Sequence, residues 1–253
     1  MNFRHLFAVA GLLLVLALAG CKQPVNEEPN TSNEVASRGK YTKGMSALRE
    51  ASFTESERYY VEAITAFAES LVYDADYSMA NAMMGLAITE LTKSPTFNTS
   101  TVMTIPINLE SARHYAAEAV RYNPDSAEGH AVLGMIAVRM SDFVAASEHV
   151  KAARSADDAS NMFLVAMGDL LWNTPYPDSK RQAKEQAVAL NYYRKAIEAN
   201  DGFGIAYMRL LDGMESLNDI QGLKEGIVLL KVAGYDAPPA RAVRYRALGI
   251  KLP

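Results

Sequence analysis

The chain has 253 residues, 49% of them hydrophobic, and a formal net charge of −4. It can bury a full core and has no basic run of the kind that binds nucleic acid. Its single cysteine excludes a disulfide framework, and His114, His130 and His149 are too scattered along the sequence for a metal-ligand spacing.

Arg4 and His5 precede an apolar run from Leu6 to Leu18, which leads into Leu18-Ala19-Gly20-Cys21. A run of this length is short for a membrane span, and small residues before Cys21 suit a signal peptidase. Leu-Ala-Gly-Cys resembles the bacterial lipoprotein motif. The resemblance implies that residues 1–20 are a cleaved signal peptide and that Cys21 is acylated and anchors the chain on the periplasmic side of a membrane. Lys22 resembles the sorting class of the outer membrane. Residues 21–37 are polar, with Pro24 and Pro29, and read as a flexible tether to a body spanning 38–253.

The body opens with a helix pair over residues 38–75. Gly44 lies in its first helix, and Thr54-x-x-Glu57 has the spacing of a capping box for the second. The best-formed pair is Pro124–Asp158. Pro124, Asp125 and Ser126 start a helix, Gly134 sits inside it, and Ser141-Asp142 ends it and caps the next. That second helix carries Ala146, Val150 and Ala153 on one face, small enough for close helix approach. The interval of ten from Pro124 to Gly134 recurs from Ala75 to Gly85, Asp158 to Gly168 and Asp201 to Leu211. The second-helix pattern recurs as Ala63, Phe67, Ser70; Ala112, Ala116, Ala119; Ala189, Tyr193, Ala196; and Leu223, Ile227, Leu230.

A period of about 34 with this spacing of small residues resembles the tetratricopeptide repeat. The resemblance implies an all-α, right-handed superhelical array of antiparallel helix pairs, with about five repeats and a C-terminal capping helix over Ala240–Leu248, its first helices lining a concave groove.

Measured against the Pro124–Asp158 unit, the first pair has seven extra residues between Gly44 and Ala63, the second fifteen and the fourth nine. The larger insertions, at about 92–108 and 173–181, contain Pro95, Pro106, Pro175 and Pro177 and read as non-helical turns on one edge. They are either tolerated surface loops or the lips of a binding face.

Ten methionines fall on first helices. Either they fill the core, or some give the groove an adaptable apolar lining. Projection from the glycines puts Tyr41, Met79, Leu86, Met135, Arg139, Met162, Asp169, Met208 and Asp212 toward the groove. It also places Trp172 there, as an aromatic anchor or as a helix-end residue packed under the loop. The motifs of nucleotide sites, serine hydrolases and zinc proteases are absent, so no catalytic residue, metal or cofactor is assigned. The expectation is a non-enzymatic lipoprotein scaffold that holds a protein or peptide in an envelope assembly. The alternative is a binding subunit for a small apolar or amphipathic ligand, as in the tetratricopeptide-type lipoproteins of some periplasmic solute transporters.

Overall fold

The computed structural model describes residues 31–94, 97, 101–102 and 104–252. The signal sequence, Cys21 and residues 21–30 of the expected tether lie outside the described residues. The elements, in chain order, are α1 (Thr31–Thr54), α2 (Glu57–Tyr73), α3 (Ser78–Leu91), β1 (Thr101–Val102), β2 (Ile105–Pro106), α4 (Leu109–Tyr122), α5 (Ala127–Arg139), α6 (Phe143–Ala156), α7 (Asn161–Asn173), α8 (Ser179–Ala199), α9 (Gly204–Ser216), α10 (Ile220–Val232) and α11 (Pro239–Ala247). Helices dominate as expected, and the exception is a minimal antiparallel hairpin, β1–β2, inside the longer insertion.

The helix pairs form because the small residues of the second helix receive the glycine of the first. A Cβ on Gly134 would lie 2.9 Å from Val150 Cγ2, one on Gly85 2.9 Å from the Ala112 carbonyl oxygen, one on Gly168 2.4 Å from the Tyr193 ring and one on Gly44 2.5 Å from the Phe67 ring. The four glycines therefore occupy equivalent sites. In the fifth pair the roles are exchanged: Leu211 fills the first-helix position and Gly226 of α10 makes room, at 2.8 Å from Leu211 Cδ2. All fifteen second-helix residues named from the sequence pattern are buried.

Within the array, each second helix packs on the first helix of the next pair, as α2 on α3, α4 on α5, α6 on α7 and α8 on α9. First helices also touch one another, α3 with α5 and α5 with α7. Ser126, Asp142 and Asp219 cap α5, α6 and α10 by accepting from the N–H of Gly129, Ala145 and Gly222. Repeats one, three and five turn on a single left-handed residue, Glu55 (φ 53°), Ser141 (φ 61°) or Asn218 (φ 52°).

Three expectations are corrected. First, α1 begins at Thr31, inside the stretch read as tether, and Ser37 is fully buried, its hydroxyl 2.9 Å from that of Ser70. The polar composition of 31–37 hid this because only one face of the helix meets α2. Second, there is no capping box at Thr54. Thr54 ends α1 with its hydroxyl donating to the Glu50 carbonyl, and Ser56 is the N-cap of α2. The seven extra residues lengthen α1 and α2 instead of forming a loop. Third, most of the nine-residue insertion extends α8 backward to Ser179, Pro175 and Pro177 being confined to the turn.

The final helix α11 covers the array with Ala242 and Tyr245, and Gly249 (φ 74°) ends it. Val228 and Val232 of α10 and Val243 of α11 remain exposed, at 55%, 81% and 65%.

Gly168→Ala tests the helix-pair contact. The added methyl group should lower stability by about 1–3 kcal/mol despite the helix-favouring change. Gly39→Ala in α1, where a Cβ meets nothing within 4 Å, should raise it by up to about 1 kcal/mol. Urea midpoints of the two variants check both signs.

Candidate functional site

The lengthened α1 carries its C-terminal turn to the last repeat. Phe53 stacks on Tyr235 with ring centroids 3.9 Å apart and lies 5.3 Å from the Tyr207 ring. A Cβ on Gly204, at the start of α9, would meet Ser52 Oγ at 2.5 Å, so only glycine allows α9 this close. Tyr235 Oη donates to Glu50 at 2.8 Å. Arg241 of α11 is 5% exposed and donates to Glu55 (2.6 and 2.9 Å), Asp212 (2.6 Å) and Glu215 (2.7 Å), while Tyr245 Oη also donates to Glu215. The first and last repeats are thereby joined directly.

At the centre lies Arg209 of α9. Its Nε donates to both oxygens of Asp169 on α7, at 3.0 and 3.1 Å, and its Nη2 donates to Glu90 on α3 at 2.8 Å. Tyr193 of α8 donates to Asp169 at 2.8 Å, and Lys93 donates to Glu90. Burial alone would raise the Glu90 carboxyl, but Arg209 and Lys93 outweigh it and hold the pKa at about 2. Burial likewise opposes the Arg209 charge, and Asp169 and Glu90 more than restore it, so that its pKa stands well above the ordinary arginine value.

Three cavities surround this core. One of about 470 Å³ lies between the C-terminal parts of α5 and α7 and the middle of α9, walled by Val138, Arg139, Asp169, Trp172, Tyr193 and Arg209. A second, of about 380 Å³, lies on the other side of Arg209 against Tyr60, Met208 and Arg241. The third, of about 210 Å³, is more apolar, with Tyr41, Met45, Met79, Met162 and Phe203 on its walls.

The residues projected onto a groove thus separate into groups. Arg139, Asp169, Trp172 and Asp212 meet at the largest cavity, Met208 reaches the second, and Tyr41, Met79 and Met162 meet at the third. The expected accessibility of the methionines fails. Met135 is 1% exposed, Met162 3%, Met208 5% and Leu86 0%, because neighbouring first helices and the end of α1 close over the positions that an open array would expose. The bases of both large insertions do reach one opening, through Lys93 and Asn173.

The projection misses Arg209, Tyr193 and Arg241. One signal was present: Arg209 and Asp169 are isolated charges inside the apolar stretches GIAYMRLL and MFLVAMGDLLW, and Glu90 is another in MMGLAITEL. Charges so placed are buried only in pairs. The histidines also hold a surprise, since His130 and His149 pair with Nδ1 atoms 3.3 Å apart. Among the described residues no three His, Cys, Asp or Glu side chains are grouped to hold a metal ion, and no helix is long and apolar enough to cross a membrane.

No family model matches the chain, and no curated protein matches it. Among solved structures, the crystal structure of MamA protein is similar over 80% of this chain and 88% of that one, at 18% identity and a TM-score of 0.36. The repeated helix-pair organisation rests here on the equivalent glycine sites and the order of helix packing.

Replacing Glu90 by Gln should cost roughly 3 kcal/mol at neutral pH, since the buried Arg209 loses a partner. Its pKa is depressed from 4.5, so the stabilisation is complete above that value and lost as pH falls through about 2. Urea midpoints of Glu90→Gln and wild type should therefore converge on acidification. Met135→Ala should cost about 2–5 kcal/mol, and Met79→Ala distinctly less, in the same assay.

Proposed function

We propose that the chain is a non-enzymatic helical-repeat binding protein of a bacterial envelope, held on the periplasmic side of a membrane through acylated Cys21, with its interior receiving a compact ligand. One observation carries the choice of ligand. The face that an open array would offer to an extended peptide is bridged by Arg209 to Glu90 and by Arg241 to Glu55, leaving separate half-open cavities beside the bridges. Cavities of a few hundred cubic ångströms that combine apolar surface, such as Trp172 and Met208, with many charged groups suit a small amphipathic molecule. A binding subunit serving a periplasmic solute transporter is a setting that fits. Buried carboxylates already committed to guanidinium partners favour structural work over acid–base chemistry. The anchor rests on Leu18 to Cys21, and Lys22 favours the outer membrane.

The second reading is a scaffold for a protein in an envelope assembly. It is favoured by the apolar residues that α10 and α11 leave exposed, Val228, Leu229, Val232 and Val243. Such a partner would dock on the outside of the array and leave the interior undisturbed.

Cys21→Ala should move the protein from the membrane to the soluble fraction, and wild type should carry an acyl mass. Full membrane retention of the variant would remove the anchor from the proposal. Native mass spectrometry of detergent-solubilised wild type should show a small-molecule adduct. A protein partner retained in pull-down, with no adduct, would favour the second reading.

A further inference from the structure

The charged groups around the first of the three cavities are not all paired. Lys93, Arg139 and Arg209 stand on its wall with the carboxylates Asp169 and Asp212, and Glu90 lies beside Arg209 and Lys93. Arg209 takes Asp169 and Glu90, and Lys93 shares Glu90. Asp212, the other carboxylate on the cavity wall, is held by Arg241 at 2.6 Å. Arg139 is left without an ion-pair partner among the described residues. Its Nη1 donates to the Thr89 carbonyl at 2.5 Å and to Thr92 Oγ1 at 2.7 Å, which fixes the plane of the guanidinium. The other donors, at Nε and Nη2, meet no acceptor among the described residues. A guanidinium held in one plane with a free pair of donors is the geometry that receives a carboxylate side-on.

The rest of the wall limits what carries that carboxylate. Val138, Phe143 and Trp172 supply apolar and aromatic surface, and about 470 Å³ is room for a metabolite-sized body and too little for a folded segment of chain. We infer that this cavity binds a small monocarboxylate with an apolar or aromatic body, its carboxylate on Arg139 and its body against Trp172. This rests on the compact-ligand reading above and names the class of ligand. A single carboxylate matches the paired Nε and Nη2 donors of Arg139, and a second one would face Asp169 and Asp212 on the same wall.

Trp172 is the only tryptophan of the chain, so its fluorescence reports on the cavity directly. The probes are 3-phenylpropanoate and its neutral amide, 3-phenylpropanamide, titrated into full-length protein at low salt. The carboxylate should change the emission saturably and the amide should bind at least about tenfold more weakly. Added salt should weaken the carboxylate alone. Arg139→Gln should abolish the preference, and Arg139→Lys should restore part of it, with circular dichroism unchanged in both. Equal binding of acid and amide by wild type would overturn the inference whether or not the variants fold. So would undiminished preference in a folded Arg139→Gln protein. If neither probe binds while native mass spectrometry shows an uncharged adduct, the carboxylate assignment fails and the compact-ligand reading survives. If neither probe binds and no adduct is found, both fail.

Discussion

One buried guanidinium sets the geometry of this molecule. Arg209 sits where an open repeat array would have solvent, and the cost of removing its charge from water is offset only if its partners stand at fixed distances. Those partners come from different repeats: Glu90 from the second and Asp169 from the fourth, with Arg209 in the fifth. Satisfying all three at once fixes how far the repeats curl before they meet. A hydrophobic trio of the same size could stabilise as well but would tolerate sliding by a fraction of a turn, which charge-assisted hydrogen bonds from one guanidinium to both Asp169 and Glu90 do not.

Helix length supplies the second constraint. The seven residues that distinguish the first pair amount to two helical turns, divided between α1 and α2. They carry Ser52, Phe53 and Glu55 far enough to reach α9, Tyr235 and Arg241. An insertion that lengthens helices thus changes the path of the whole chain, whereas the hairpin β1–β2 within the fifteen-residue insertion lies against α2 and changes only the edge. The cavities follow from the first kind of change, being the space left where bridging side chains are shorter than the gap they span.

The repeat was legible in the sequence because its signal is steric. Gly85, Gly134 and Gly168 answer to Ala116, Val150 and Tyr193, each the middle residue of the same second-helix pattern, and that pattern survives without knowledge of any distant contact. The fifth repeat was legible only as a degraded copy, since Leu211 and Gly226 exchange roles and the pattern sought was glycine-first. The site was less legible. Projection from one helix gives a direction for Met135 and Met208, but the exposure of such positions depends on what faces them, and a facing group can come from more than a hundred residues away, as Arg209 does for Glu90. Isolated charges within apolar helices carried that information, each demanding a partner without naming it. The start of α1 was obscured for another reason: a helix with one thin apolar face and many polar residues has the composition of a linker.

Joining the two ends of the array has a consequence for how it comes apart. In an open stack of repeats the terminal units have one neighbour each, so they loosen first and unfolding spreads inward. Here the end of α1 and the last helices hold each other through Phe53 with Tyr235 and Glu55 with Arg241, so each terminal repeat has neighbours on two sides. Loosening one end must break contacts of the other, and the molecule should lose its structure as one cooperative unit, with the mobility of an unzipping stack suppressed around its cavities.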